Sequence, residues 1–139
     1  MATVQKSLRI RRETLKVMRE LARERGADFS TLANELLDEA TRMRRCPGIV
    51  FAHGPTGPRA RIAGTGVDVW EIVATYKSLR NNFDRLRKAY PQLTQSQLLA
   101  AMNYYRYFKN EIENRIAANV AWTPAKLRAR YPFAAGEIR

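Results

Sequence analysis

Gln5, Ser7 and Arg9 stand at alternate positions of the stretch TVQKSLRI. An amide, a hydroxyl and a guanidinium at that spacing project from one side of an extended chain, because successive side chains of a strand point to opposite faces. The chemistry open to such a set is hydrogen bonding to base edges. Arg pairs with guanine, Gln with adenine and Ser with either, and a good bidentate pair discriminates by about 1–3 kcal/mol. The other side of the stretch carries Val4, Lys6, Leu8 and Ile10. Lys6 is tolerated there because its stem packs while its ammonium reaches water.

The rest of the chain offers little to catalysis. Cys46 is the only cysteine and His53 the only histidine. No intrachain disulfide and no closed Cys/His zinc site can be assembled from them, and no acid/base constellation is recognisable. The expectation is a protein that is not an enzyme and uses no metal and no cofactor. The glycines of GPTGPRARIAGTGVDVW invite a phosphate-loop reading that fails. No Gly-Lys-Ser/Thr follows, and Gly64-Thr65-Gly66 lacks the third glycine of a dinucleotide fingerprint. Tight turns around a hairpin account for them.

The charge points elsewhere. Against 13 Asp and Glu stand 25 Lys and Arg, a net charge of +12, and every part of the chain is positive. That excess predicts attraction to a polyanion, most naturally nucleic acid. No apolar run reaches signal-peptide or membrane-spanning length, so a reducing, cytoplasmic setting and no membrane partner are expected.

The elements that must position these groups can be read from spacing. RRETLKVMRELARERG places Leu15, Val17, Met18, Leu21 and Ala22 along a helix that Gly26 stops. ADFSTLANELLDEATRMRR starts a second helix, capped by Asp28 or Ser30, with Leu32, Leu36, Leu37 and Ala40 on its apolar face. Arg42, Arg44 and Arg45 gather where the helix dipole favours cations. A strand followed by two such helices cannot bury its own apolar faces. Two copies can, with strands paired antiparallel and four helices closing a shared core, and the two-stranded ribbon so formed fits the DNA major groove.

QKSLRIRRETLKVMRELARERGADFSTLANELLDEA resembles a ribbon-helix-helix repressor domain of the Arc/MetJ type. The resemblance implies that Gln5, Ser7 and Arg9 are the base-reading positions. It also implies that the start of the second helix, around Ser30 and Thr31, offers backbone N–H groups to a phosphate.

Beyond residue 45 the composition changes. Ile49–Ala52 and Ala60–Ala63 read as strands flanking a Gly/Pro turn. Asp68 and Glu71 are spaced for a capping box, a short helix in NNFDRLRKAY ends at Pro91, and Thr94 with Gln97 repeats the box. That second box opens a helix expected to run to about Asn119, with Leu98, Met102, Tyr105, Phe108, Ile112 and Ile116 along one side. A hairpin and three helices predict a winged-helix or helix-turn-helix-like body. Gln95, Ser96 and Gln97 would be the probing residues of its last helix, although capping and solvation explain them equally well.

RARIAGTGVDVWEIVATYKS and YPQLTQSQLLAAMNYY resemble a small domain of unknown function that recurs in bacterial antitoxins of the VapB kind, beside PIN-like toxins. The resemblance spans about residues 46–116. It departs at Gly66, where a second basic residue is usual, and at Val67-Asp68, where Ile-Pro is typical. It implies a cytoplasmic antitoxin, a homodimer or higher even oligomer, that binds operator double-stranded DNA and neutralises a PIN-like ribonuclease.

The expected organisation is therefore mainly α. A ribbon-helix-helix domain (1–45, an intertwined dimer) is followed by a hairpin plus three-helix domain (46–121) and a basic, aromatic tail (122–139). In the tail Trp122, Lys126, Leu127, Arg128, Arg130, Tyr131 and Phe133 are of the residue types that anchor interfaces and are expected to hold the toxin. The resemblance implies that Arg128 or Arg130 enters an acidic metal pocket there and competes for its carboxylates. Tyr104, Tyr105, Tyr107 and Phe108 divide between core and partner surface, the core being favoured for 105 and 108. A stand-alone regulator of the same fold and an RNA-binding basic protein are the rival functions.

Overall fold

The structure, a computed structural model, describes residues 2–120, and these divide into two units between Arg44 and Arg45. Its general class is mainly helical, six helices with one small antiparallel sheet among the described residues.

In the first unit, α1 (Arg12–Arg25) ends at Gly26, which adopts φ +66°. The N–H of Ala27 reaches back to the carbonyl of Ala22 at 3.0 Å and that of Gly26 to Arg23 at 3.2 Å. This left-handed turn satisfies carbonyls that the helix end leaves open. α2 (Phe29–Arg45) begins on Asp28, whose Oδ1 accepts from the Thr31 N–H at 2.7 Å. An ion pair between Arg25 and Glu35 ties the end of α1 to α2. Ala22 and Leu32 are the buried apolar residues of this unit, whereas Val17, Leu37 and Met43 stay exposed.

Residues 3–10, expected as a strand, carry no regular secondary structure. The physical reason is plain: a strand needs a ladder partner, and none pairs with that segment among the described residues. Val4 and Leu8 are left 93% and 66% exposed.

The second unit opens with a hairpin, β1 (Ile49–Gly54) and β2 (Gly57–Ile62), in antiparallel register from Ile49↔Ile62 to Gly54↔Gly57. Four helices follow, not the three expected: α3 (Val69–Ser78), α4 (Phe83–Ala89), α5 (Gln95–Tyr107) and α6 (Lys109–Val120). The helix expected to run unbroken to about Asn119 stops at Phe108, whose φ −126° and ψ 47° leave the helical region. Neither proline nor glycine marks that break. What it gains is tertiary: the Phe108 ring packs on Tyr104 with centroids 4.7 Å apart, and α6 packs on α3. There Lys77 Nζ meets Glu113 Oε1 at 2.6 Å, while Arg115 reaches the hairpin at Thr56 Oγ1, 3.2 Å away.

α3 lies at the centre of the unit. Val69, Ile72 and Val73 are fully buried, and around them close Cys46, Ile49, Ile62, Leu86, Leu98, Ala101, Tyr104 and Ile112. Burial of each large apolar side chain is worth about 1.5–3 kcal/mol. The link from α3 to α4 is tight. Arg80 and Asn81 both sit at positive φ, 54° and 58°, a conformation that asparagine tolerates and arginine adopts at a cost.

Candidate nucleic-acid interface

Gln5, Ser7 and Arg9 are exposed in the segment ahead of α1. Ser30 and Thr31 lie in the first turn of α2 and are also exposed, but their backbone is already engaged. The Thr31 N–H is donated to Asp28, and the Ser30 carbonyl accepts from Asn34 Nδ2 at 2.8 Å. The backbone and side-chain hydrogen bonds from Thr31 hold the Asp28 carboxyl below its usual range. A phosphate approaching this helix start therefore meets a resident carboxylate, the first of the two caps expected there. Trp122, Lys126, Leu127, Arg128, Arg130, Tyr131 and Phe133 lie outside the described residues.

In the second unit the local sequence builds a charged clasp. Alternation along β2 puts Arg59 and Arg61 on one face, while Ala60 and Ile62 turn into the core. Asp68 precedes α3 and closes the capping box expected there, its N–H donating to Glu71 Oε2 at 2.8 Å. Its own carboxylate takes both arginines: Arg59 Nε donates to Oδ2 at 2.8 Å and Arg61 Nε to Oδ1 at 2.9 Å. Trp70 Nε1 adds a bond to Oδ2 at 3.2 Å. Burial alone would push the Asp68 carboxyl up, but the hydrogen bonds and charges of Arg61 and Arg59 outweigh it and hold the group below its usual range. A carboxylate held ionised in this way is a fastener of hairpin to helix, not a proton shuttle. Among the described residues no group of three or more His, Cys, Asp or Glu is placed to hold a metal ion.

The aromatic cluster sorts differently from its helical phase. Tyr104, outside the expected apolar stripe, is fully buried and donates its hydroxyl to Glu111 Oε2. Tyr105 and Phe108 are half-buried. The Tyr105 hydroxyl donates to Glu113, and that bond, with some burial and the negative charge, pushes its pKa up to about 12. Tyr107 is exposed, with Arg45 and Arg106 over its ring at 5.3 and 5.1 Å. The buried stripe of α5 is Leu98, Ala101 and Tyr104. Past the break at Phe108, Glu111 on α6 comes back to the Tyr104 hydroxyl.

Sequence reasoning also passed over a cluster of cations. Arg80, Arg85, Arg87 and Lys88 are exposed on and before α4, and none makes an ion pair among the described residues. The signal was present in NNFDRLRKAY as a run of cations around one acid, Asp84. Arg87 and Lys88 border an open groove of about 560 Å³ between the end of α4 and the start of α5, together with Asp84, Pro91, Leu93, Thr94 and Gln95. Gln95 and Ser96 face solvent at the start of α5. Gln97 is engaged by the capping box, its Oε1 accepting from the Thr94 N–H at 2.8 Å.

The family match falls within this second unit. Residues 49–105, from β1 into α5, match a family described as a protein of unknown function, DUF433. A solved structure of a DUF433 member protein from Anabaena variabilis is 28% identical, covering 78% of this chain and 99% of that one, with a TM-score of 0.44. No curated protein matches the chain. No helix of the described residues is long and apolar enough to cross a membrane.

Proposed function

We propose that this protein is the antitoxin of a type II toxin–antitoxin pair, a DNA-binding autorepressor that also inhibits its partner by stoichiometric binding. Residues 3–10 of two subunits pair antiparallel into a ribbon, α1 and α2 of both subunits close a ribbon-helix-helix core, and Gln5, Ser7 and Arg9 meet base edges. The second unit and the tail hold a PIN-like ribonuclease, with Trp122, Lys126, Leu127, Arg128, Arg130, Tyr131 and Phe133 as its contact residues.

The observation that carries this reading is the unfinished state of the first unit. Val4, Leu8, Val17 and Leu37 are 93%, 66%, 52% and 57% exposed, and two buried side chains are too few to hold so short a segment by themselves. A second copy of the same segment supplies what each lacks. The net charge of +12 supports a polyanionic ligand for the assembled dimer.

Co-expression with the adjacent open reading frame, followed by co-purification, tests the inhibitory half. A 1:1 or 2:2 complex with a nuclease that is toxic when expressed alone is the expected result, and failure of the two chains to copurify would refute it. For the repressor half, Arg9→Ala should weaken binding to the operator and relax its sequence preference together. Equal losses on every sequence would remove the ribbon from the mechanism.

A further inference from the structure

We propose that α4 and the start of α5 form a second surface for duplex DNA, with Arg85, Arg87 and Lys88 holding phosphates and Gln95 and Ser96 placed beside the bases. This goes beyond the reading above, which assigns DNA to the first unit, and it stands on a separate set of observations.

The first is how the cations of this unit are spent. Arg59 and Arg61 close on Asp68, and Lys77 pairs with Glu113. Arg80, Arg85, Arg87 and Lys88 instead crowd a helix of seven residues and its lead-in without a paired carboxylate among the described residues. Arg85 and Lys88, three apart on that helix, repel each other. A short helix that accumulates unpaired like charges is better placed against a polyanion than in bulk water.

The second is the neighbour. α5 starts across the groove from Arg87 and Lys88, and it is fixed from below by Leu98, Ala101 and Tyr104, all fully buried. Its outer side begins with Gln95 and Ser96 and continues to Leu99, which is 50% exposed. An amide and a hydroxyl suit base edges, and an apolar side chain suits the thymine methyl. The basic helix on the backbone and the next helix toward the groove form a division of labour in which phosphate contacts position and base contacts specify.

The third is an absence of stacking platforms on this face. Phe83 and Tyr90 are only half-exposed, and the Tyr90 hydroxyl is committed to Thr75 Oγ1 at 3.0 Å. Single-stranded nucleic acid is held on exposed aromatic faces, which this surface lacks. A duplex read through its backbone fits better.

The test uses the full chain, a random-sequence DNA duplex and a single-stranded RNA of equal length, titrated across a salt series. Arg87→Gln combined with Lys88→Gln is compared with Arg106→Gln combined with Lys109→Gln, which removes the same charge from exposed positions elsewhere in the unit. The first pair should lower duplex affinity about tenfold at low salt and flatten the log–log salt slope by about 2, roughly one for each phosphate no longer held. The control pair should change affinity by less than about threefold. Arg87→Lys with Lys88 retained should keep most of the binding, since the charge survives, and its circular dichroism and melting show that the site still folds.

Equal losses from the two pairs would reduce the effect to net charge and overturn the proposal. So would a loss seen with the RNA and not with the duplex. The two readings separate cleanly. An inert Arg9→Ala with an impaired Arg87/Lys88 pair sinks the ribbon and keeps this surface, and the reverse pattern does the opposite.

Discussion

The two units solve the problem of burial in opposite ways. From Cys46 to Ile112 the second unit wraps a hairpin and three helices around α3 and buries a contiguous apolar core. The first leaves apolar residues from Val4 to Met43 uncovered on two helices and their lead-in. Both draw on similar amphipathic spacing, so pattern alone does not decide burial. What decides it is whether the same chain brings a second layer to cover the first. The second unit brings its own cover, and the first leaves its apolar face open within the described residues.

That contrast can be broken by experiment. The largest effect is expected from Leu98→Ala, which opens a cavity in the enclosed core. It should cost about 2–5 kcal/mol in denaturant unfolding, and a cost below about 1 kcal/mol would mean the second unit is not the packed body described.

Next comes Asp68→Asn, which leaves Arg59 and Arg61 facing a neutral amide and should cost about 1–3 kcal/mol. Its pH signature is specific. The folded carboxyl titrates below its usual 3.8, so its stabilisation is complete above that value and drains away as the pH falls through the lower folded value. The variant should lose this acid-side slope. If wild type and variant fall in parallel in acid, the clasp contributes nothing.

Gly26→Ala probes the first unit. No atom lies within 4 Å of the added methyl, so the cost is the backbone term at φ +66° alone, about 1 kcal/mol. The smallest effect on folding of one chain should be Leu37→Ala, within about 0.5 kcal/mol because the side chain is exposed. Its effect on association should be clear: sedimentation or light scattering should show the monomer–dimer balance moved toward monomer. A variant that associates like the wild type would mean that Leu37 covers nothing in a partner.

What could be read in the chain was local. The hairpin, both capping boxes and the Gly26 stop each depend on residues a few positions apart, and the structure has all of them. The strands run further into the turn than expected, to Gly54 and from Gly57, because Pro55 and Thr56 alone complete the reversal. What escaped was non-local. The Phe108 break is set by the return of α6 to α3 and the hairpin, the burial of Tyr104 by a carboxylate seven residues on, and the clasp by a strand face meeting a helix start. Gln5, Ser7 and Arg9 lie exposed ahead of α1 without the regular strand expected of them, and of the two caps expected for α2 it is Asp28 that accepts from Thr31.

Cys46 is the chain's one cysteine and has no solvent exposure at all. A thiol reagent can reach it only when the surrounding packing parts, so alkylation makes this side chain a clock for opening. Its rate times how often the packing around the start of the hairpin breathes.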